Sequence, residues 1–127
     1  MRVLSIDDSK SVHLFIKMCL AHIKNVEIVD LYDGNEALPY LKEVQNKVDI
    51  ILLDWEMPIL TGPETLKQIR ENNITTPIIM VTSKNEIMDI ALMLKEGAND
   101  YIMKPFTPDI LIEKIENTLQ AQLIERN

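Results

Sequence analysis

The sequence predicts an α/β fold, a doubly wound three-layer sandwich whose five parallel strands run in the order 2-1-3-4-5. Three features carry that expectation. Short apolar runs alternate with helical patterns along the whole chain. Two of the runs, Val48–Leu53 and Pro77–Val81, are nearly continuous, as central strands covered on both faces require. The second run, Val26–Tyr32, is interrupted by Glu27 and Asp30 and so belongs at an edge. Right-handed crossovers then fix the order.

Taken in turn, Val3–Ile6 reads as the first strand. Val12, Ile16, Cys19 and Ile23 follow at helical spacing and form one apolar stripe with Lys17 outside it. After the edge strand, a helix starts near Gly34, which places Pro39 close to the first turn, where its missing donor costs little. Gly62 punctuates the stretch between the third strand and its helix. A long helical pattern follows the fourth strand and is ended by Gly97, well placed for a left-handed conformation. Tyr101–Met103 is the fifth strand. Thr107-Pro108-Asp109 starts the last helix with a capping hydroxyl, a proline and an early acid, and Leu111, Ile115 and Leu119 line its inner face.

The 127 residues fit one domain, 1–127, of ordinary globular composition. Twenty acidic and 13 basic side chains give a formal charge of −7, which disfavours nucleic acid and anionic membranes as partners. No apolar run approaches the ~20 residues of a bilayer span. The start of the chain turns acidic at Asp7 and Asp8, unlike a signal peptide, so a cytoplasmic location is expected. Cys19 is the single cysteine, falls on an apolar stripe and reads as core. His13 and His22 lack metal-ligand spacing and read as solvated helix residues.

The chemistry gathers at the strand ends. Asp7 and Asp8 follow the first strand, Asp54 the third, Thr82 the fourth and Lys104 the fifth. In such sheets ligands bind beyond the carboxyl ends of the strands, where the strand order reverses. Three unpaired carboxylates would crowd that crevice and repel one another, and a hard divalent cation such as Mg²⁺ relieves the repulsion. The plainer alternative is that Asp7 and Asp8 only cap the first helix. Two in tandem facing a third across the crevice favour the metal.

The stretches Ile6-Asp7-Asp8-Ser9, Leu53-Asp54-Trp55-Glu56-Met57-Pro58, Val81-Thr82-Ser83, and Gly97-Ala98 through Tyr101 to Lys104-Pro105-Phe106 resemble the receiver domain of bacterial response regulators. The resemblance covers the whole chain and implies a flavodoxin-like (βα)5 sandwich. It implies that Asp54 is the phosphoacceptor, loaded by a histidine kinase or phosphotransfer protein. Asp8, Asp54 and the backbone carbonyl of Glu56 would ligate Mg²⁺, with Asp7 acting through a bound water. Thr82 and Lys104 would contact the phosphoryl oxygens, the Lys104–Pro105 bond would be cis, and Thr82 and Tyr101 would form the switch. Such a chain catalyses only its own phosphorylation and dephosphorylation and signals by altered binding, as a monomer or a weak phosphorylation-dependent dimer.

Two further expectations concern the rims. Glu56 and Lys84 lie two residues beyond Asp54 and Thr82, and should approach each other and partly cover the site. In the fourth helix, Ile90, Met93 and Leu94 should face the sheet, leaving Met88 and Leu92 outside with Tyr101 on a partner surface. Competing readings are a receiver-like interaction module that never turns over phosphate, and a flavodoxin-like cofactor binder. The acids after the first strand oppose the second, because they would repel a cofactor phosphate.

Overall fold

In a computed structural model, residues 1–121 and 123 are described. Five strands alternate with helices: β1 (Arg2–Ile6), α1 (Lys10–Leu20), β2 (Glu27–Leu31), α2 (Ala37–Glu43), β3 (Ile50–Asp54), α3 (Gly62–Glu71), β4 (Ile78–Thr82), α4 (Ile87–Lys95), β5 (Asp100–Met103) and α5 (Pro108–Leu119). The sheet is parallel throughout, in the order β2-β1-β3-β4-β5. β3 and β4 are buried at every residue, whereas β2 has none fully buried, so the unbroken apolar runs hold the centre and the charged one the edge.

Alternation along the strands splits the core in two. Leu4, Ile6, Ile51, Leu53, Ile78 and Met80 face one way and pack with Ala37 and Leu41 of α2, Leu66 and Ile69 of α3 and Met93 of α4. Val3, Ile50, Leu52, Ile79, Val81 and Ile102 face the other way, against Ile16, Cys19 and Leu20 of α1 and Leu111, Ile112 and Ile115 of α5. A 3₁₀ turn, Gly34–Glu36, leads into α2, and Pro39 is the third residue of that helix, among the first-turn positions whose N–H groups have no helical partner.

α4 departs from expectation. Met93 is buried and Ile90 half-buried, but Leu94 is 42% exposed instead of facing the sheet. The inner face centres on Met93, with half-buried Asp89, Ile90 and Gly97 beside it, and Leu94, ~100° round from Met93, falls outside it. Met88 (83% exposed) and Leu92 (49%) stand outside, as does Ile87.

The register levels the strand ends on the site's side. Ile6 pairs with Leu31 and Leu53, Asp54 with Val81, and Thr82 with Met103. Asp54 and Thr82 are therefore the last residues of their strands, while Asp7 and Lys104 are the first beyond theirs.

Candidate functional site

At this edge the backbone places each polar side chain. Asp7 extends the sheet by one bond, its N–H donating to Leu31 O at 3.1 Å. The next peptides turn into α1, where Ser9 caps the helix by accepting from Val12 N. The Lys104 N–H donates to Thr82 O at 2.8 Å, which brings Lys104 beside the end of β4, and the Lys104–Pro105 bond is cis. Gly62 lets the start of α3 close on the end of β3. Its N–H reaches Trp55 O at 2.8 Å, and any Cβ there would lie 2.3 Å from Asp54 O.

Asp7, Asp8 and Asp54 offer carboxylate oxygens within 4.8 Å of one another. They are not all unpaired, and this corrects the expectation of three free, mutually repelling carboxylates. Lys104 Nζ donates to Asp7 Oδ2 at 2.9 Å and to Asp54 Oδ1 at 3.0 Å. Its long stem reaches from β5 across the end of β4, which spacing along the chain does not reveal. Asp7 is also fixed through Oδ1, which accepts from Ser9 N at 2.9 Å. Asp7 is 3% exposed and sits behind the opening, whereas Asp8 is exposed.

A cavity of about 230 Å³ is lined by Asp8, Asp54, Trp55, Glu56, Thr82, Ser83 and Lys104. Thr82 Oγ1 accepts from Lys84 N at 2.9 Å, which leaves its own O–H without a partner among the described residues. A larger hollow of about 520 Å³ lies at the opposite end of the sheet. There the Arg2 guanidinium pairs with Glu27, the Arg2 backbone N–H donates to Asp49 and the Met1 ammonium to Asn25 O, and no cluster of like charges forms among the described residues.

The electrostatics suit a cation. Burial raises the Asp54 pKa; the Lys104 hydrogen bond opposes that, while the Asp7 charge adds to it, and the balance stays above the ordinary range. Burial would lower the Lys104 pKa, but bonds to Asp7 and Asp54 more than offset it, so the ammonium stays charged. Counted at formal charges, three carboxylates and one ammonium sum to −3 + 1 = −2. An all-oxygen set with two uncompensated charges fits Mg²⁺.

The outer residues are placed as follows. Lys84 Nζ lies 3.7 Å from Glu56 Oε1, with side chains 41% and 73% exposed. Tyr101 is half-buried and Lys114 Nζ lies 5.0 Å from its ring centroid, itself held by Asp100 at 2.9 Å. Two residues carry more than sequence reasoning assigned them. Asp33, buried, accepts from Ile59 N at 2.9 Å and Leu60 N at 2.8 Å and so ties down the loop that carries Glu56. Only the turn-forming pair Asp33-Gly34 hints at it. His13, expected in solvent, is 1% exposed, because it lies three residues before Ile16 on the buried stripe. His22 is exposed and Cys19 buried.

Comparison with known proteins agrees with this geometry. The family profile described as response regulator receiver domain matches residues 3–116. A chemotaxis protein CheY homolog of Campylobacter jejuni is 36% identical over 121 residues, covering 94% of this chain and 92% of that protein. The response regulator ArlR of Staphylococcus saprophyticus is 38% identical over 121 residues, 95% of this chain but 53% of that protein. Among solved structures, the receiver domain of the Francisella response regulator 1452 superposes with a TM-score of 0.83 at 35% identity, covering 94% of this chain and 96% of that one.

Proposed function

Since this chain belongs to the response regulator receiver domain family, we propose that it is a phosphorylation switch in which Asp54 accepts a phosphoryl group from a histidine kinase or phosphotransfer protein. The observation that carries this reading is Lys104 Nζ bridging Asp7 and Asp54 beside the open carboxylate of Asp8. Asp8 and Asp54 would hold Mg²⁺ with the Glu56 carbonyl, and Asp7, set behind the cavity, would reach it through water. Bound there, Mg²⁺ supplies a second positive centre for the phosphoryl oxygens.

An Asp54 oxygen attacks phosphorus and forms an O–P bond as the donor's P–N bond breaks. The electron pair leaves on the donor's imidazole nitrogen, which takes a proton from water. Lys104 keeps one hydrogen bond to Asp7 and turns another toward the phosphoryl oxygens, adding fixed positive charge where negative charge gathers. The Thr82 O–H is free to donate to the same group. Phosphorylated side chains gain about −1.5 to −2 charges. Thr82 and Tyr101 relay that change to the surface of α4, β5 and α5, where Met88, Leu92 and Tyr101 meet a downstream protein, and the chain acts inside the cell as a monomer or weak phosphorylation-dependent dimer. It turns over nothing but its own phosphoryl group. The exposed Glu56–Lys84 pair governs access more than stability, since such pairs contribute ~0–1 kcal/mol.

Intact-mass measurement with acetyl phosphate and Mg²⁺ tests this. One phosphoryl adduct is expected on the wild type and none on Asp54→Asn; an adduct retained by that variant, or absent from the wild type, refutes the switch. Following adduct decay in Glu56→Ala and Lys84→Ala tests the rim pair, with lifetimes changed about two- to fivefold and unchanged lifetimes counting against it.

A further inference from the structure

His13 shares α1's inner face with Ile16 and Leu20, and as a 1%-exposed imidazole it needs polar partners. Its Nε2 lies 2.7 Å from the Asp7 carbonyl oxygen. A carbonyl only accepts, so Nε2 carries hydrogen and donates. The ring is gripped on its other side. Nδ1 is 3.2 Å from Asp30 Oδ1, and Lys17 Nζ donates to Asp30 Oδ2 at 2.6 Å. Tyr32 packs edge-on, its ring centroid 4.9 Å away at 68°. Nδ1 and Asp30 Oδ1 are close but poorly aligned for a hydrogen bond, so the Asp7 carbonyl and packing hold the ring.

The Asp7 carbonyl belongs to the peptide that joins Asp7 to Asp8. That unit is planar, so a hydrogen bond to its oxygen sets the plane from which the Asp8 side chain departs. Asp7 is already tied at its N–H, Oδ1 and Oδ2. The Asp8 carboxylate, in contrast, has no hydrogen-bond donor among the described residues, and its direction depends on its backbone. Resting on the cation site just assigned, we propose that His13 is a positioning residue: it orients the Asp7–Asp8 peptide, and through it the Asp8 carboxylate, toward the divalent ion. The edge strand β2 thereby takes part in the site through Asp30, and so does the residue after it, Tyr32.

The experiment is Mg²⁺ titration of the full chain followed by Trp55 fluorescence, with thermal unfolding in the absence of Mg²⁺ alongside. His13→Leu should weaken Mg²⁺ binding about three- to tenfold, the scale of losing one supporting hydrogen bond. His13→Gln, whose amide still donates, should return affinity to within about twofold of the wild type. A mere packing role would lower the thermal midpoint of both variants and leave both affinities alone. Unchanged affinity in His13→Leu overturns the proposal, and so does a weakening that His13→Gln fails to relieve. Should His13→Leu not fold, His13→Phe decides: it keeps a ring against Tyr32 but cannot donate to the Asp7 carbonyl, so it should weaken Mg²⁺ about three- to tenfold, and unchanged affinity refutes the inference. A wild type with no Mg²⁺ response removes the cation site and this inference together. A wild-type response that His13→Leu retains removes this inference alone.

Discussion

The Asp33 carboxylate accepts backbone N–H groups from Ile59, Leu60 and Asn35, joining two loops that are far apart in sequence. Burial alone would raise its pKa, but these bonds to the ionised form outweigh that and hold it below the ordinary carboxylate range. A depressed carboxylate pKa contributes stability that is complete above its unfolded value, ~3.9, and is lost as pH falls through the folded value. Asp33→Ala should therefore cost about 1–3 kcal/mol in urea unfolding at neutral pH, because partly buried N–H groups lose a charged acceptor. The gap from the wild type should narrow below pH ~4, where Asp33 of the unfolded chain protonates while the folded carboxylate is still ionised. A gap that stays constant from neutral to acid pH would show that the charge is irrelevant. Asp33 and His13 were the polar residues hardest to read from sequence, and for one reason. Their partners lie on other elements, at Ile59 and Leu60 for one and Asp30 for the other, and no local spacing announces them.

Among the elements, α4, like α2, lacks the side-chain N-cap that α1, α3 and α5 have. Thr61 and Thr107 cap α3 and α5 through their hydroxyls, and Thr61 forms a reciprocal capping box with Glu64. Glu86, the residue capping α4, makes no such bond. α4 also directs one fully buried side chain, Met93, into the core, with Ile87, Met88, Leu92 and Leu94 exposed. A short cap-accepting side chain should correct the first deficiency. Glu86→Ser is expected to stabilise the fold by about 0.5–1 kcal/mol and to slow amide exchange in the first turn of α4. No gain in stability would mean that solvent already satisfies those donors. The contrast also marks what is legible at this scale. Thr107-Pro108-Asp109 announces α5 and Gly97, at φ +114°, ends α4 as its position implies. The strands come within one or two residues of their apolar runs. The facing of α4 was misread at Leu94, because a helix this apolar carries no polar side to orient it.

For the molecule as a whole, strand order decides the function, because it brings Asp7, Asp8, Asp54 and Lys104 together from three strand ends. The convergence was readable from the sequence, since it follows from the order 2-1-3-4-5. The Lys104 bridge was not, because it depends on how far one flexible side chain reaches. The net charge of −7 is thus unevenly placed, with two uncompensated negative charges at one end of the sheet. Folding has to assemble that cluster, and the cost falls on the whole domain, not on one loop. Removing one charge while keeping an acceptor for Lys104 should therefore stabilise the metal-free protein. Asp54→Asn does this, since its amide oxygen still accepts from Lys104. Its thermal midpoint without Mg²⁺ should exceed that of the wild type by a few degrees, the response of a domain this size to ~1 kcal/mol. Saturating Mg²⁺ should raise the wild-type midpoint by linkage, since the ion binds only the folded cluster. It should raise Asp54→Asn less, because one ligand charge is gone. The two effects must appear together if the cluster is both the strained part of the fold and its cation site. An Asp54→Asn chain no more stable than the wild type without Mg²⁺ would mean that Lys104 already neutralises the cluster, leaving a divalent ion nothing to relieve.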